Sequence, residues 1–179
     1  MSDRAVSVIG GGLAGSEASW RLASAGIPVR LYEMRPRKMT PAHRTGDFAE
    51  IVCSNSFGAD SVSSPAGILK RELRMLDSLV LRCADAARVP AGKALAVDRD
   101  IFSRLVTEAL ESNPLITILR EECDSIPDGP VIIATGPLTS PSLAESIRAL
   151  AGEEYLSFFD AVAPVVIADS IDMSKAFRR

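Results

Sequence analysis

The first 33 residues alternate between mostly apolar runs and a helical pattern. Residues 5–9 form one such run, which is typical of a strand buried on both faces. Residues 13–25 show helical spacing, and Gly26 and Pro28 follow as stop signals. A second strand pattern covers residues 29–33. This order predicts a strand–helix–strand unit with parallel strands and a right-handed crossover.

A longer helical pattern begins at Pro65 and continues to Cys83, with apolar residues at three- and four-residue intervals. We expect its charged residues to form a solvated face. The inward positions are predicted to be Ile68, Leu69, Leu73, Leu76, Val80 and Cys83, and the solvated ones Lys70, Arg71, Arg74 and Asp77.

Strand and helix patterns continue to alternate toward the C-terminus. Helices are predicted at 101–111, capped by Asp98-Arg99-Asp100, and at 140–151. The first of these helices should turn Ile101, Phe102, Leu105 and Ala109 inward. Strands are predicted at 94–97, 115–119, 131–134 (buried) and 162–168. The alternation predicts an α/β fold, a Rossmann-like domain with a doubly wound parallel sheet over residues 1–179.

Residues 34–64 break this alternation, because they are rich in Pro, Gly, Ser and charged residues. An irregular segment of this length inside a compact domain is usually functional or disordered. Its apolar residues, among them Phe48 and Phe57, argue that it packs against the domain. We therefore expect a long functional loop at 34–64.

Composition narrows the class of protein without identifying it. The 47% of hydrophobic residues among 179 excludes a disordered chain, and a net charge of −3 gives no global attraction to nucleic acid. Three cysteines without metal-ligand spacing suggest reduced thiols and no metal site. No targeting segment or membrane-length apolar run is present, so we expect a cytoplasmic protein without a membrane partner.

A glycine-rich motif joins the first strand to the first helix, and Glu33 ends the second strand. Its glycines permit a tight turn, a close approach of pyrophosphate and close packing of the helix on the strand. The helix N-terminus attracts phosphate, and an acid at position 33 can accept hydrogen bonds from a free ribose 2′-hydroxyl. FAD or NAD is therefore favoured over NADP. The predicted cofactor-binding residues are Gly10, Gly11, Gly12, Leu13, Ala14, Gly15 and Glu33.

A second motif, Thr135-Gly136, follows the strand at 131–134. It resembles the Ala-Thr-Gly end of a late strand in FAD domains of the glutathione-reductase type, where that strand lies beside the nucleotide. Glycine permits a close approach of backbone and ligand at such a strand end. Together with the first motif it favours FAD, and Thr135 and Gly136 join the predicted cofactor site.

Three loop strings between these motifs carry more specific information. They are Glu33-Met34-Arg35-Pro36, Thr40-Pro41-Ala42-His43 and Glu50-Ile51-Val52-Cys53-Ser54-Asn55-Ser56, and further strings lie at 67–73, 91–99 and 170–175. In this order they closely resemble the N-terminal part of the folate- and FAD-dependent tRNA (uracil-5-)-methyltransferases of bacteria. Members of that family are more than twice as long, so the C-terminal half of the family is missing here.

The resemblance implies a reductive methylation of uridine C5 in the tRNA T-loop, which produces ribothymidine. It implies FAD as cofactor, 5,10-methylenetetrahydrofolate as methyl donor, NAD(P)H as reductant and tRNA as partner. Cys53 matches the cysteine of the family's Cys-Ser-Asn-Ser motif, which implicates it in methyl transfer as nucleophile or adduct holder. Cys83 and Cys123 lack such a context and are interpreted as structural thiols.

The predicted substrate contacts are less defined. Arg35, Arg37, Lys38 and Arg44 form a basic cluster beside the expected site. It is either a solvated loop or a contact for tRNA phosphate or for the glutamate tail of folate. His43, the single histidine, is expected to be a solvated loop residue rather than a catalytic one.

Two other interpretations remain open. One is a related FAD-dependent enzyme that modifies the tRNA wobble uridine. The other is a non-catalytic FAD-binding remnant. The sequence reaches residues 175–179 without a further strand or helix that would complete the FAD domain, and we expect either a truncated gene or an excerpt of a longer sequence. Loss of late strands exposes sheet edges, so we also expect aggregation or a need for a partner.

Overall fold

The computed structural model describes residues 5–152. Its central feature is a parallel sheet, and a smaller antiparallel sheet lies beside it. The elements in chain order are β1 (Val6–Ile9), α1 (Leu13–Ser24), β2 (Val29–Tyr32), β3 (Ser56–Ala59), α2 (Pro65–Met75), α3 (Leu79–Ala86), β4 (Arg88–Val89), β5 (Ala94–Val97), α4 (Arg99–Glu111), β6 (Ile116–Leu119), β7 (Val131–Ile133) and α5 (Pro141–Ala151).

The parallel sheet has the strand order β6-β2-β1-β7. Val6 lies opposite Val29, and Ile9 lies opposite Tyr32 on one side and Ile133 on the other. All three strand pairs are parallel, so the carboxyl ends of the strands meet at one edge. The predicted α/β class and parallel sheet are confirmed, and this edge is where such folds bind ligands.

The core lies between the sheet and helices α1, α3 and α4, which contact one another. Glu17 of α1 fixes the start of α3, since its carboxylate accepts hydrogen bonds from Ser78 Oγ and the Val80 N–H, both at 2.9 Å. This acid at a helix N-terminus occupies donors that have no intrahelical partner. The largest fully buried apolar side chains are Val8, Val29, Leu31, Phe48, Leu79, Leu95, Val97, Phe102, Val106, Leu110 and Leu143.

The single helix predicted from Pro65 to Cys83 is wrong, because the chain forms two helices there. Helix α2 ends at Met75, and Asp77 adopts a left-handed conformation with φ of 57°. Ser78 then caps α3, its hydroxyl accepting a hydrogen bond from the Leu81 N–H at 3.2 Å. Local capping by serine and Glu17 therefore outweighs the continuous apolar periodicity.

The inward face predicted for α2 is wrong in part, because Leu73 packs against the core as predicted but Ile68 and Leu69 do not. Ile68 and Leu69 are 48% and 55% exposed, whereas Lys70 is only 8% exposed. The Lys70 ammonium donates to the Ala59 carbonyl at 2.9 Å, and Arg74 pairs with Asp60 at 2.9 Å. These polar contacts to the segment around β3 orient α2, so Ile68 and Leu69 face outward.

Three further expectations require correction. The segment 34–64 contains a strand, β3, which pairs antiparallel with β5 in the sheet β3-β5-β4. Strand β7 exists, but Ile132 and Ile133 are 37% and 38% exposed instead of buried. In α4, Ile101 is 38% exposed, and the buried residues are Phe102, Ser103, Val106 and Leu110.

The helix predicted at 140–151 is confirmed as α5. The strand predicted at 162–168 lies outside the described residues. Within residues 5–152, no helix combines the length and the apolar composition that crossing a membrane requires.

Candidate functional site

A cavity of about 330 Å³ opens at the carboxyl edge of the parallel sheet. The glycine turn after β1, the residues after β2 and the residues after β7 all line it. Loop residues 50–53 complete the wall, and they place Cys53 in the same cavity as the glycine turn. The predicted site residues that line it are Gly10, Gly11, Gly12, Leu13, Ala14, Glu33, Arg35, Cys53, Thr135 and Gly136.

The turn from β1 to α1 has the geometry that its sequence predicts. Gly10 has a φ of +100°, which L side chains rarely adopt. A Cβ on Gly15 would lie 1.8 Å from the Gly10 carbonyl oxygen, so only glycine fits where α1 packs on the turn. Gly12 has no atom within 4 Å of its ideal Cβ position, and no side chain caps α1 there. The first N–H groups of α1 are thus left for an anionic ligand.

Gly11 serves a different purpose from the one that the motif suggests. A Cβ at this position would lie 2.4 Å from Cδ1 of Phe48, and Gly11 is buried. Its N–H donates to Glu33 Oε2 at 2.9 Å, and its carbonyl accepts from the Ala49 N–H at 2.8 Å. Gly11 therefore joins the turn to β2 and to the 34–64 segment.

Glu33 and Arg35 form a buried ion pair at the end of β2. Arg35 Nε donates to Glu33 Oε1 at 2.9 Å, and Nη2 donates to Oε2 at 3.1 Å. The third nitrogen, Nη1, reaches Glu50 Oε2 at 3.1 Å and the Thr45 carbonyl at 3.3 Å. Arg35 and Glu33 are only 2% and 6% exposed. One guanidinium thus joins two carboxylates from different parts of the chain.

This network changes the protonation of its members. Burial by itself would raise the pKa of Glu33, but hydrogen bonds and attraction from Arg35 and the Gly11 N–H outweigh it, and the pKa is lowered. Burial likewise opposes the lowered pKa of Glu50, which results from the N–H groups of Arg44 and Thr45. Burial, and then repulsion from Arg35, lowers the pKa of His43. Both glutamates are therefore ionised and His43 is neutral at neutral pH.

The predicted basic cluster is not a single surface. Arg35 is buried in the ion pair just described, so its expected place in a solvent-facing cluster is wrong. Lys38 donates to Glu122 at 2.7 Å and so links the 34–64 segment to the loop before β7. Arg37 and Arg44 are exposed, and no ion pair to either side chain occurs within residues 5–152. Neither of them lines the cavity.

Cys53 lies on an anchored loop and is exposed. Arg99, at the start of α4, donates to the Cys53 carbonyl at 3.2 Å. Asn55 donates its side-chain amide to the Val97 carbonyl at 3.1 Å, and its own carbonyl accepts from the Val97 N–H at 2.9 Å. These contacts hold the cysteine-containing loop on β5 and α4.

The sequence did not identify several residues of the cavity wall. His43 is half-buried there, with Nδ1 2.6 Å from Thr40 Oγ1, and differs from the solvated residue expected. Cys83 and Cys123 were both interpreted as structural thiols. Cys83 is buried in the core, whereas Cys123 lines the cavity. Glu50 belongs to one of the loop strings that carry the family resemblance, but no role was predicted for it. In the structure it is the second acid that contacts Arg35. No group of His, Cys, Asp and Glu in the described part of the chain is arranged to hold a metal ion.

Known proteins resemble the chain over nearly its whole length. A family model described as "Glucose inhibited division protein A" matches residues 5–179. The methylenetetrahydrofolate–tRNA-(uracil-5-)-methyltransferase TrmFO of Pelotomaculum thermopropionicum is 60% identical over 179 residues, which cover 99% of this chain and 41% of that protein. The protein of the same name from Listeria welshimeri is 58% identical over 175 residues, covering 98% and 40%.

A solved structure of Aquifex aeolicus GidA has the same fold, with a TM-score of 0.58 at 18% sequence identity. The likeness covers 74% of this chain and 25% of that one. The present chain spans about two fifths of the length of the curated relatives that it matches. Since the family model covers all but the first four residues, the chain belongs to the glucose inhibited division protein A family.

Proposed function

We propose that this chain supplies the FAD-binding part of a folate-dependent tRNA (uracil-5-)-methyltransferase. The observation that carries the proposal is the shared cavity of the glycine turn, Glu33 and Cys53. A dinucleotide site and an accessible thiol in one cavity suit a reaction in which a cofactor and a nucleophile act on the same substrate. The methyltransferase name of relatives that are 58–60% identical supports the same reaction.

The cavity fits the nucleotide end of FAD. The unfilled space at Gly12 and the free N–H groups of α1 suit the pyrophosphate, and Glu33 suits the ribose. Thr135 and Gly136 line the cavity from the opposite side, and Gly136 adopts a φ of +62°. When bound, FAD reduced by NAD(P)H supplies the redox chemistry that one-carbon transfer from 5,10-methylenetetrahydrofolate requires.

Cys53 acts on the uracil ring in this proposal, either as nucleophile or as the holder of an adduct. As a nucleophile, its thiolate forms a bond to C6, and the electrons of the C5–C6 double bond move toward O4 and make C5 reactive. After C5 has gained its substituent, loss of the C5 proton restores the double bond and expels the thiolate. The anchoring of the loop by Arg99 and Asn55 keeps the sulfur at the cavity.

Arg37 and Arg44 are the remaining members of the basic cluster with exposed, unpaired side chains in the described structure. We assign them to tRNA phosphate or to the glutamate tail of folate, because both are anionic groups that exposed arginines bind. The test is tRNA binding by a variant with Arg37→Gln and Arg44→Gln over a range of salt concentrations. A phosphate contact predicts weaker binding and a shallower salt dependence in the variant.

The first experiment is a titration of the purified 179-residue chain with FAD, followed by visible absorption and flavin fluorescence. Wild type and Cys53→Ser are expected to bind FAD, whereas Gly12→Val is expected to lose it. Addition of 5,10-methylenetetrahydrofolate, NADPH and a tRNA transcript then tests methyl transfer, which Cys53→Ser should abolish. Bound flavin without transfer by wild type would contradict methyltransferase activity of this chain. Absence of FAD binding would overturn the proposal.

A further inference from the structure

We propose that Arg35 is a positioning residue for ribose recognition: it fixes the Glu33 carboxylate as an acceptor and links it through Glu50 to the segment that leads to Cys53. The inference rests on the proposed function, because it takes Glu33 as the ribose acceptor of bound FAD. An arginine two residues beyond the acid of a dinucleotide motif could instead face a cofactor phosphate. Here it is 2% exposed and directed at the acid itself.

The geometry leaves the Glu33 carboxylate no freedom to rotate. Oε1 accepts from the backbone N–H and Nε of Arg35 at 3.0 and 2.9 Å. Oε2 accepts from the Gly11 N–H at 2.9 Å and from Arg35 Nη2 at 3.1 Å. Since these four donors match the about four lone-pair positions of a carboxylate, a ribose hydroxyl that binds Glu33 has to share a position with one of them. Its position is therefore set before any ligand arrives.

The charge of Glu33 also depends on Arg35. In the described structure Arg35 is the cation that contacts Glu33, and the other titratable groups near it are Glu50 and His43. Without the guanidinium, no cation would lie between the two carboxylates: Glu33 would keep the N–H groups of Gly11 and residue 35, and Glu50 the N–H groups of Arg44 and Thr45 and the Thr45 hydroxyl. Burial, now opposed by fewer contacts, would then raise the pKa of Glu33, and protonation of the acid would remove an acceptor position.

The same guanidinium organises the loop on the other side. Glu50, which Nη1 holds at 3.1 Å, accepts from the Arg44 and Thr45 N–H groups at 2.8 and 3.0 Å. Residues 51–53 follow directly and line the cavity. Arg120 fixes the Arg35 backbone, donating to its carbonyl at 3.2 Å. Arg35 thus connects the ribose end of the site to the cysteine end.

The experiment compares the FAD dissociation constants of wild type, Arg35→Met, Arg35→Lys and Arg71→Met between pH 5.5 and 8, measured by flavin fluorescence. Arg71→Met is the matched control, because Arg71 is exposed on α2, lies outside the cavity and has no ion-pair partner in the described residues. Thermal unfolding of each apoprotein shows which variants are folded. Glu50→Gln, which removes the second anchor of Arg35 and keeps the side-chain volume, provides a second test if Arg35→Met does not fold.

We expect Arg35→Met to weaken FAD binding by at least about tenfold at pH 7, with a further loss as the pH falls. Arg35→Lys keeps the positive charge but loses the paired guanidinium donors to Glu33. This variant should therefore bind FAD more weakly than wild type, with an affinity that does not depend on pH. Arg71→Met should match wild type throughout. A folded Arg35→Met that binds like Arg71→Met at every pH would overturn the inference and leave the proposed function intact. Wild type that does not bind FAD would overturn both.

Discussion

Gly15 lies so close to Gly10 that a Cβ on Gly15 would be 1.8 Å from the Gly10 carbonyl oxygen. The contact fixes the distance between α1 and the turn that follows β1. Gly12, two residues past Gly10, has no atom within 4 Å of its ideal Cβ position. Two positions of one motif therefore require glycine for different physical reasons. At position 15 a side chain would collide with the turn, and at position 12 it would fill space that is open to a ligand.

Alanine substitutions at positions 15 and 12 distinguish these two reasons by their effects on stability. Gly15→Ala should lower the free energy of unfolding by about 1–3 kcal/mol, because the methyl group forces the turn and α1 apart. Gly12→Ala should change it by less than about 0.5 kcal/mol, because nothing in the protein occupies the space. Urea unfolding measures both values. Equal destabilisation by the two variants would contradict the distinction, and a loss of FAD affinity in stable Gly12→Ala would support the pyrophosphate position.

The stability of the chain should fall as the solution becomes acidic. Glu33, Glu50 and Asp60 have lowered pKa values in the fold, each against the opposing effect of burial, so they stabilise it above their ordinary pKa values of 4.5, 4.5 and 3.8. That contribution is lost as the pH falls through the lowered values. The pKa of His43 lies below 6.5, so the unfolded chain binds its proton first and stability already declines below that pH.

Urea unfolding between pH 7.5 and 4 measures this decline. His43→Asn is the matched variant, because it removes the His43 titration, which lies below pH 6.5, and leaves the carboxylates in place. It should flatten the curve just below pH 6.5 and leave the decline at the acid end of the range unchanged. A wild-type curve that rises toward acid would contradict the protonation states derived from the structure.

The three thiols should react with an alkylating reagent at very different rates. Cys53 is exposed, whereas Cys83 is 5% exposed and burial raises its pKa. Cys123 is half-buried, and burial also raises its pKa. We expect Cys53 to react first, and peptide mass spectrometry after brief treatment with iodoacetamide identifies the modified residue. Cys53→Ser is the control, since it should remove the fast phase. Modification of Cys83 in the native protein at a similar rate would contradict its burial.

Substitutions on α2 and α3 test the outward orientation of Leu69 on α2. Leu69 is 55% exposed, so Leu69→Gln should change the free energy of unfolding by less than about 0.5 kcal/mol. Leu79, at the start of α3, is fully buried, and Leu79→Ala should cost about 2–5 kcal/mol. Denaturant unfolding of both variants measures the difference. A large loss in Leu69→Gln would favour the inward face that the periodicity predicts.

The geometry of the glycine turn and the position of Glu33 could be predicted from the sequence because their causes are local. The left-handed conformation of Gly10, the packing at Gly15 and the acid at position 33 each follow from backbone sterics and strand–helix spacing within one supersecondary unit. The position of Cys53 beside that unit was implied by a family resemblance, and no spacing in the sequence predicted it.

The orientation of α2 could not be predicted, since periodicity identifies an apolar face without saying what covers it. Polar contacts from Lys70 and Arg74 to residues 59 and 60 decide which face turns inward. The same holds for the short antiparallel sheet, where β3 and β5 are far apart in the chain and pair only once the fold brings them together.

Short-range sterics and hydrogen bonds encode the α/β class, the parallel strands, the cap of α4, the helix α5 and the glycine turn, so these features could be predicted from the sequence alone. The burial of Arg35 between Glu33 and Glu50 and the pairing of Lys38 with Glu122 arise only in the folded chain. Charged side chains at loop positions carry no periodic signal. Their partners depend on which distant carboxylates the fold brings within hydrogen-bonding distance.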